Sequence, residues 1–142
     1  MKPARSLAHT MALPPCPSCH GEHKLDVYGR CDRCRGEWIA PAHTEAAAPK
    51  RLPFLRKHIS RGPPTERNCP VDRAALKAFD IPGVLYEGDL FYGKETARSE
   101  THSVGEGCAQ CGGVWMEADQ LARGGERKAV AENLARLAES LA

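Results

Sequence analysis

The chain is short of aromatic residues and of long apolar runs. Three Phe, two Trp and three Tyr occur among 142 residues, and eleven Pro and thirteen Gly interrupt the apolar segments. Such material cannot assemble a large hydrophobic core, so small folded units need a staple. No run approaches the length of a membrane helix, and Met1 to Pro15 lacks the continuous apolar stretch of a secretory signal. These absences lead to the expectation of a cytoplasmic chain with no membrane contact. A large basic face is also missing: the formal charge is only +2. It is unevenly spread, with six Lys/Arg against two Glu over residues 41–68, and eight against twelve acids over residues 69–142.

What the chain does have is cysteine. The count of seven is odd, which argues against a closed disulfide framework, and six fall in C-x-x-C pairs: Cys16/Cys19, Cys31/Cys34 and Cys108/Cys111. Paired thiols in a reducing compartment are more often metal ligands than disulfides.

The cysteines belong to an internal repeat. The first copy reads Cys16-Pro-Ser-Cys19, eleven residues, then Cys31-Asp-Arg-Cys34-Arg-Gly-Glu-Trp38. The second reads Cys69-Pro-Val-Asp72, thirty-five residues, then Cys108-Ala-Gln-Cys111-Gly-Gly-Val-Trp115. A C-x-x-C pair in a tight turn points two sulfurs at one ion, and two such turns make the tetrahedral thiolate site that suits Zn²⁺. Cys16, Cys19, Cys31 and Cys34 therefore form the first expected zinc site. Iron also accepts four thiolates, but nothing else in the chain suggests an electron-transfer partner.

For the second site Cys69, Cys108 and Cys111 supply three ligands. Asp72 holds the position of Cys19 and is the expected fourth ligand, since carboxylate is an allowed one. His102, six residues before Cys108, is the competing imidazole. A third alternative leaves the site without metal, with Asp72 capping a helix over D72-R-A-A-L-K-A-F. With both ions bound the net charge falls to about −1. Each Trp follows a knuckle by four residues and is expected to cover the metal site. Three thiolates make a poor Lewis acid, so no catalytic role is expected.

The expected fold is a small metal-stabilised α+β structure: two zinc-ribbon units, each a short β-hairpin with zinc knuckles, joined by a linker and followed by an α-helix. Residues 1–13 read as a flexible tail, 14–40 as the first ribbon, and 41–68 as a mostly extended Ala/Pro/basic linker. Residues 69–123 read as the second ribbon with a long insert, within which Gly83 to Tyr92 suggests a hairpin turning at Glu-Gly-Asp. Glu117 to Arg123 reads as a short helix stopped by Gly124-Gly125. Residues 126–142 carry an amphipathic helix with Val130, Leu134, Leu137 and Leu141 on one stripe, able to cover the second ribbon or to self-associate.

C-P-x-C followed by C-x-x-C-x-G-x-W, an apolar residue, an acidic one and a short polar helix resembles the prokaryotic transcription factor IIB-type zinc-finger family. Cys108 to Leu121 carries the likeness best, and Cys31 to Ile39 carries it in part. The second copy departs from the pattern at Asp72 and in its long insert. The resemblance implies zinc binding and association with nucleic acid or transcription machinery. Three roles stay open. The first is an adaptor that binds another protein. The second is a nucleic-acid binder using Lys50, Arg51, Arg56, Lys57 and Arg61, with Phe54 stacking. The third is a zinc-thiolate redox switch.

Overall fold

The computed structural model describes residues 13–89 and 94–142, with side chains over 13–84 and 100–142. Five strands form one antiparallel sheet: β1 (Glu37–Ile39), β2 (Pro64–Asn68), β3 (Ala75–Asp89), β4 (Lys94–Gly107) and β5 (Val114–Met116), in the spatial order β1-β5-β4-β3-β2. The described helices are α1 (Pro41–Ala47), α2 (Leu52–Ser60), α3 (Ala118–Gly124) and α4 (Glu126–Ser140). Among the described residues no helix is long and apolar enough to cross a membrane.

The small α+β class is as expected, but the two copies do not form separate sheets. β1 of the first copy pairs with β5 of the second, with Trp38 opposite Trp115. Strand alternation then sorts the side chains. Ile39, Val114 and Met116 join a core with Phe79, Ile81, Leu55, Ile59, Val130 and Leu134 under the helices. Trp38 and Trp115 belong to the other core, with Leu25, Leu76 and the cysteines.

Residues 41–68 are not an extended linker. They hold α1, α2 and β2. Pro41 and Pro53 sit in the first turns of the two helices, where a missing N–H costs nothing. Leu55 and Ile59, four apart on α2, are fully buried, and that burial selects helix over extended chain. Phe54, on the same helix, stays exposed.

Two further expectations change. Glu87-Gly88-Asp89 is not a turn, because β3 continues to Asp89, which pairs with Lys94; residues 90–92 of the expected hairpin lie outside the described residues. Asp72 caps no helix, because the segment after it is β3. Residues 1–12 of the expected tail also lie outside the described residues. At the C-terminal end the reading holds more closely. α3 ends where Gly125 turns left-handed, at φ +89°, and α4 packs Val130 and Leu134 into the core with Leu137 and Leu141 at its margin. The apolar stripe of α4 is therefore occupied by its own sheet.

Candidate metal centres

Four turns carry the candidate ligand residues, and three of them share one hydrogen-bonded construction. In three of them the N–H of the leading Cys reaches a carbonyl five residues on: Cys31 to Gly36 (3.0 Å), Cys69 to Ala74 (2.7 Å) and Cys108 to Gly113 (2.9 Å). In the same turns an N–H returns to the leading Cys carbonyl, from Arg35 (2.9 Å), Arg73 (3.0 Å) and Gly112 (2.8 Å). The residue after the second ligand is left-handed in all four: His20 (φ 51°), Arg35 (66°), Arg73 (68°) and Gly112 (85°). Three of these carry a side chain, at a cost of about 1–2 kcal/mol each, which closure of the turn must offset.

The turns bring together two groups: Cys16, Cys19, Cys31 and Cys34, and Cys69, Asp72, Cys108 and Cys111. Within each, the four candidate donor atoms lie within 4.8 Å of one another. Cys16 Sγ is 3.6 Å from Cys34 Sγ, Cys19 Sγ is 3.8 Å from Cys31 Sγ, and Cys69 Sγ is 3.8 Å from Cys111 Sγ. Zinc–sulfur bonds of about 2.3 Å place the sulfurs of a tetrahedron about 3.8 Å apart, so the spacing fits that ion. No disulfide is formed.

Asp72 takes part as a ligand residue would. Its Oδ1 accepts the Ala74 N–H at 3.0 Å, as Cys111 Sγ accepts the Gly113 N–H at 3.4 Å in the matching turn. Its carboxylate accepts from the Cys108 thiol at 3.3 Å. Of the eight residues it alone is exposed.

The groups do not hold their protons equally. Burial pushes the Cys16 thiol well above its ordinary range, against a pull from the Cys19 N–H. Cys69 is pushed up by its hydrogen bond with Cys111 and by burial, and burial also raises Cys19 and Cys108. Cys111 lies below its ordinary value because it accepts from Cys69. Burial opposes ionisation at Cys31 and at Asp72. The N–H groups of Cys34 and Arg33 outweigh it at Cys31, and the Ala74 N–H with the Cys108 thiol does so at Asp72, so both end below their usual ranges.

His102 belongs to neither group. It is exposed on β4 opposite Pro82. β4 continues from there to Gly107, and a strand of that length spans up to about 20 Å between His102 and Cys108. His20 and His23 likewise stay outside, and His23 Nε2 meets Arg33 at 2.6 Å.

The five basic candidates gather around α2. Lys57 and Arg61 are exposed beside Phe54, and the Arg51 guanidinium lies 5.9 Å over the Phe54 ring. Lys50 is exposed just before the helix, its N–H bonded to Glu45. Arg56 Nε donates to the Ala109 carbonyl inside the second knuckle (3.2 Å), tying α2 to that turn.

Spacing alone missed a polar network. Ser18, inside the first knuckle, donates to Glu117 and accepts from Trp115 Nε1 and Arg67 Nε, both at 3.0 Å. Arg67 bridges onward to Glu106 (3.1 Å) and Glu117 (3.2 Å). Glu37, almost fully buried, is held by Arg30 (3.2 Å) and Arg127 (2.9 Å). Glu117, two positions after Trp115, was visible as the acidic residue of the zinc-finger resemblance; its partners, dozens of residues away, left no local signal. Compared with family models, curated proteins and solved structures, the chain matches none of them.

Proposed function

We propose that this chain is a non-catalytic zinc protein whose two ions hold one small fold together as an adaptor for another protein. The observation that carries the reading is the pair of four-donor groups, each spaced for one tetrahedral ion, with three of their four turns built to one design. Cys16, Cys19, Cys31 and Cys34 would hold the first ion, and Cys69, Asp72, Cys108 and Cys111 the second. Bound zinc supplies cross-linking here: it replaces the core that so few aromatics cannot build. A protein partner is supported by the exposed Val27 and Tyr28, which lie beside a groove also lined by Leu13, Trp38, His43 and Arg127. The reading accords with the resemblance to prokaryotic transcription factor IIB-type zinc fingers, which rests on the knuckles and the residues that follow them.

The test is zinc per chain by elemental analysis, on wild type and on Asp72→Ala. Two ions are expected to fall to one. One ion in both proteins would remove the second site from the reading.

One observation favours a second reading, in which the chain contacts nucleic acid. The cations of the supposed linker lie on and beside a helix, with Arg51 over the ring of the exposed Phe54 and Lys57 and Arg61 exposed beyond it. A phosphate backbone could meet the charges while a base stacks on the ring.

A further inference from the structure

Each cysteine group is covered by the half of the chain that carries the other. Trp38 follows the first knuckle pair, yet its ring lies on Gly113, where an added Cβ would come within 2.2 Å of it. Trp115 follows the second pair, yet its ring lies on Gly36 at the same separation. The strands bearing them pair directly through β1 and β5. Ser18 in the first knuckle is hydrogen-bonded to Trp115 and Glu117 behind the second. Cys16, Cys31, Cys69 and Cys108 share one continuous buried cluster with both tryptophans.

Resting on the zinc reading above, we infer that the two ions bind cooperatively: filling either site raises the affinity of the other. Neither half can complete its own cover. The cost of ordering the shared tryptophan layer and the β1–β5 ladder therefore falls on the first ion to bind. The second ion meets a layer already ordered. Such coupling is reciprocal, so either site can be the first to fill.

The experiment uses the whole chain, stripped of metal under reducing conditions, titrated with zinc and followed by native mass spectrometry. Independent equal sites leave half of the chains carrying one ion at half saturation, and independent unequal sites leave more. Cooperative sites leave fewer, with metal-free and two-zinc chains dominating. The second measurement is zinc affinity at the Asp72-containing site in the double variant Cys16→Ser, Cys34→Ser, which lacks two donors of the other site. It is expected to weaken by about 5–150-fold. A one-zinc population below half would establish the coupling, and an unchanged affinity in the double variant would overturn it whatever that population, leaving the zinc reading standing. A chain that takes up no zinc would overturn both.

Discussion

Asp72 and Cys111 occupy the same place in two matching turns, and their environments differ mainly in exposure. Asp72 stays ionised below the usual carboxylate range, so the proton that first competes with metal at this site goes to a sulfur. The glycines of the repeat have an equally specific explanation. Gly36 and Gly113 leave room for a tryptophan ring from the opposite copy. Gly113→Ala would press a methyl into the Trp38 ring. The expected loss is about 1–3 kcal/mol, read from urea unfolding of the metal-loaded protein. Stability within a few tenths of a kcal/mol of wild type would show that the ring can move aside without cost.

At the scale of elements, α2 does two jobs with two faces. Leu55 and Ile59 are fully buried in the core under the sheet, so Leu55→Ala is expected to cost about 2–5 kcal/mol. The opposite face carries Lys57, Arg61 and Phe54. Lys57→Glu with Arg61→Glu should shift stability by less than about 0.5 kcal/mol. If the nucleic-acid reading holds, the same pair should abolish salt-sensitive binding of a fluorescent single strand in an anisotropy titration; retained binding would acquit the helix.

The knuckles, the ligand order and α4 were legible because their signals are local: spacing, Pro and Gly positions, and a 3.6-residue stripe. The helical linker was half legible. Leu52, Leu55 and Ile59 keep helical spacing behind Pro53, but the alanines and prolines around them concealed it. Of β3 only the stretch from Gly83 onward was legible as strand, and β4 was not. Pro82 reads as a strand breaker, yet β2 pairs β3 only between Ala75 and Lys77, so Pro82 lies where one edge is free and needs no donor. β4 is polar through most of its length, and it is a strand because β3 lies beside it from Lys77 to Asp89.

At the scale of the whole molecule the protonation pattern sets a pH dependence. The Cys16 and Cys69 thiols are held protonated beyond their ordinary range, and zinc binds thiolate, so each ion must displace protons at neutral pH. Apparent zinc affinity should therefore rise with pH up to and past the ordinary thiol range, and fall steadily in acid. Calorimetric titrations in buffers of different ionisation enthalpy check this by counting protons released. A heat that does not depend on the buffer would mean that the thiols are already ionised.

That the two ribbon units share one sheet was not legible, since the pairing of β1 with β5 joins residues nearly eighty positions apart and no local pattern announces it. That pairing has a geometric property of its own. Aligned by the repeat, Trp38 corresponds to Trp115, Glu37 to Val114 and Ile39 to Met116. The ladder sets Trp38 against Trp115, Glu37 against Met116 and Ile39 against Val114. Each contact is thus matched by the same contact with the partners exchanged, which is the mark of an isologous interface around a twofold axis. The tryptophan–glycine exchange obeys the same rule. Around this ladder the chain carries a local twofold of the kind that relates the subunits of a homodimer. Carried on one chain, the two sides need not be alike: one holds four sulfurs, while the other has an aspartate and a long β-arm, which a symmetric pair of identical subunits could not do one at a time.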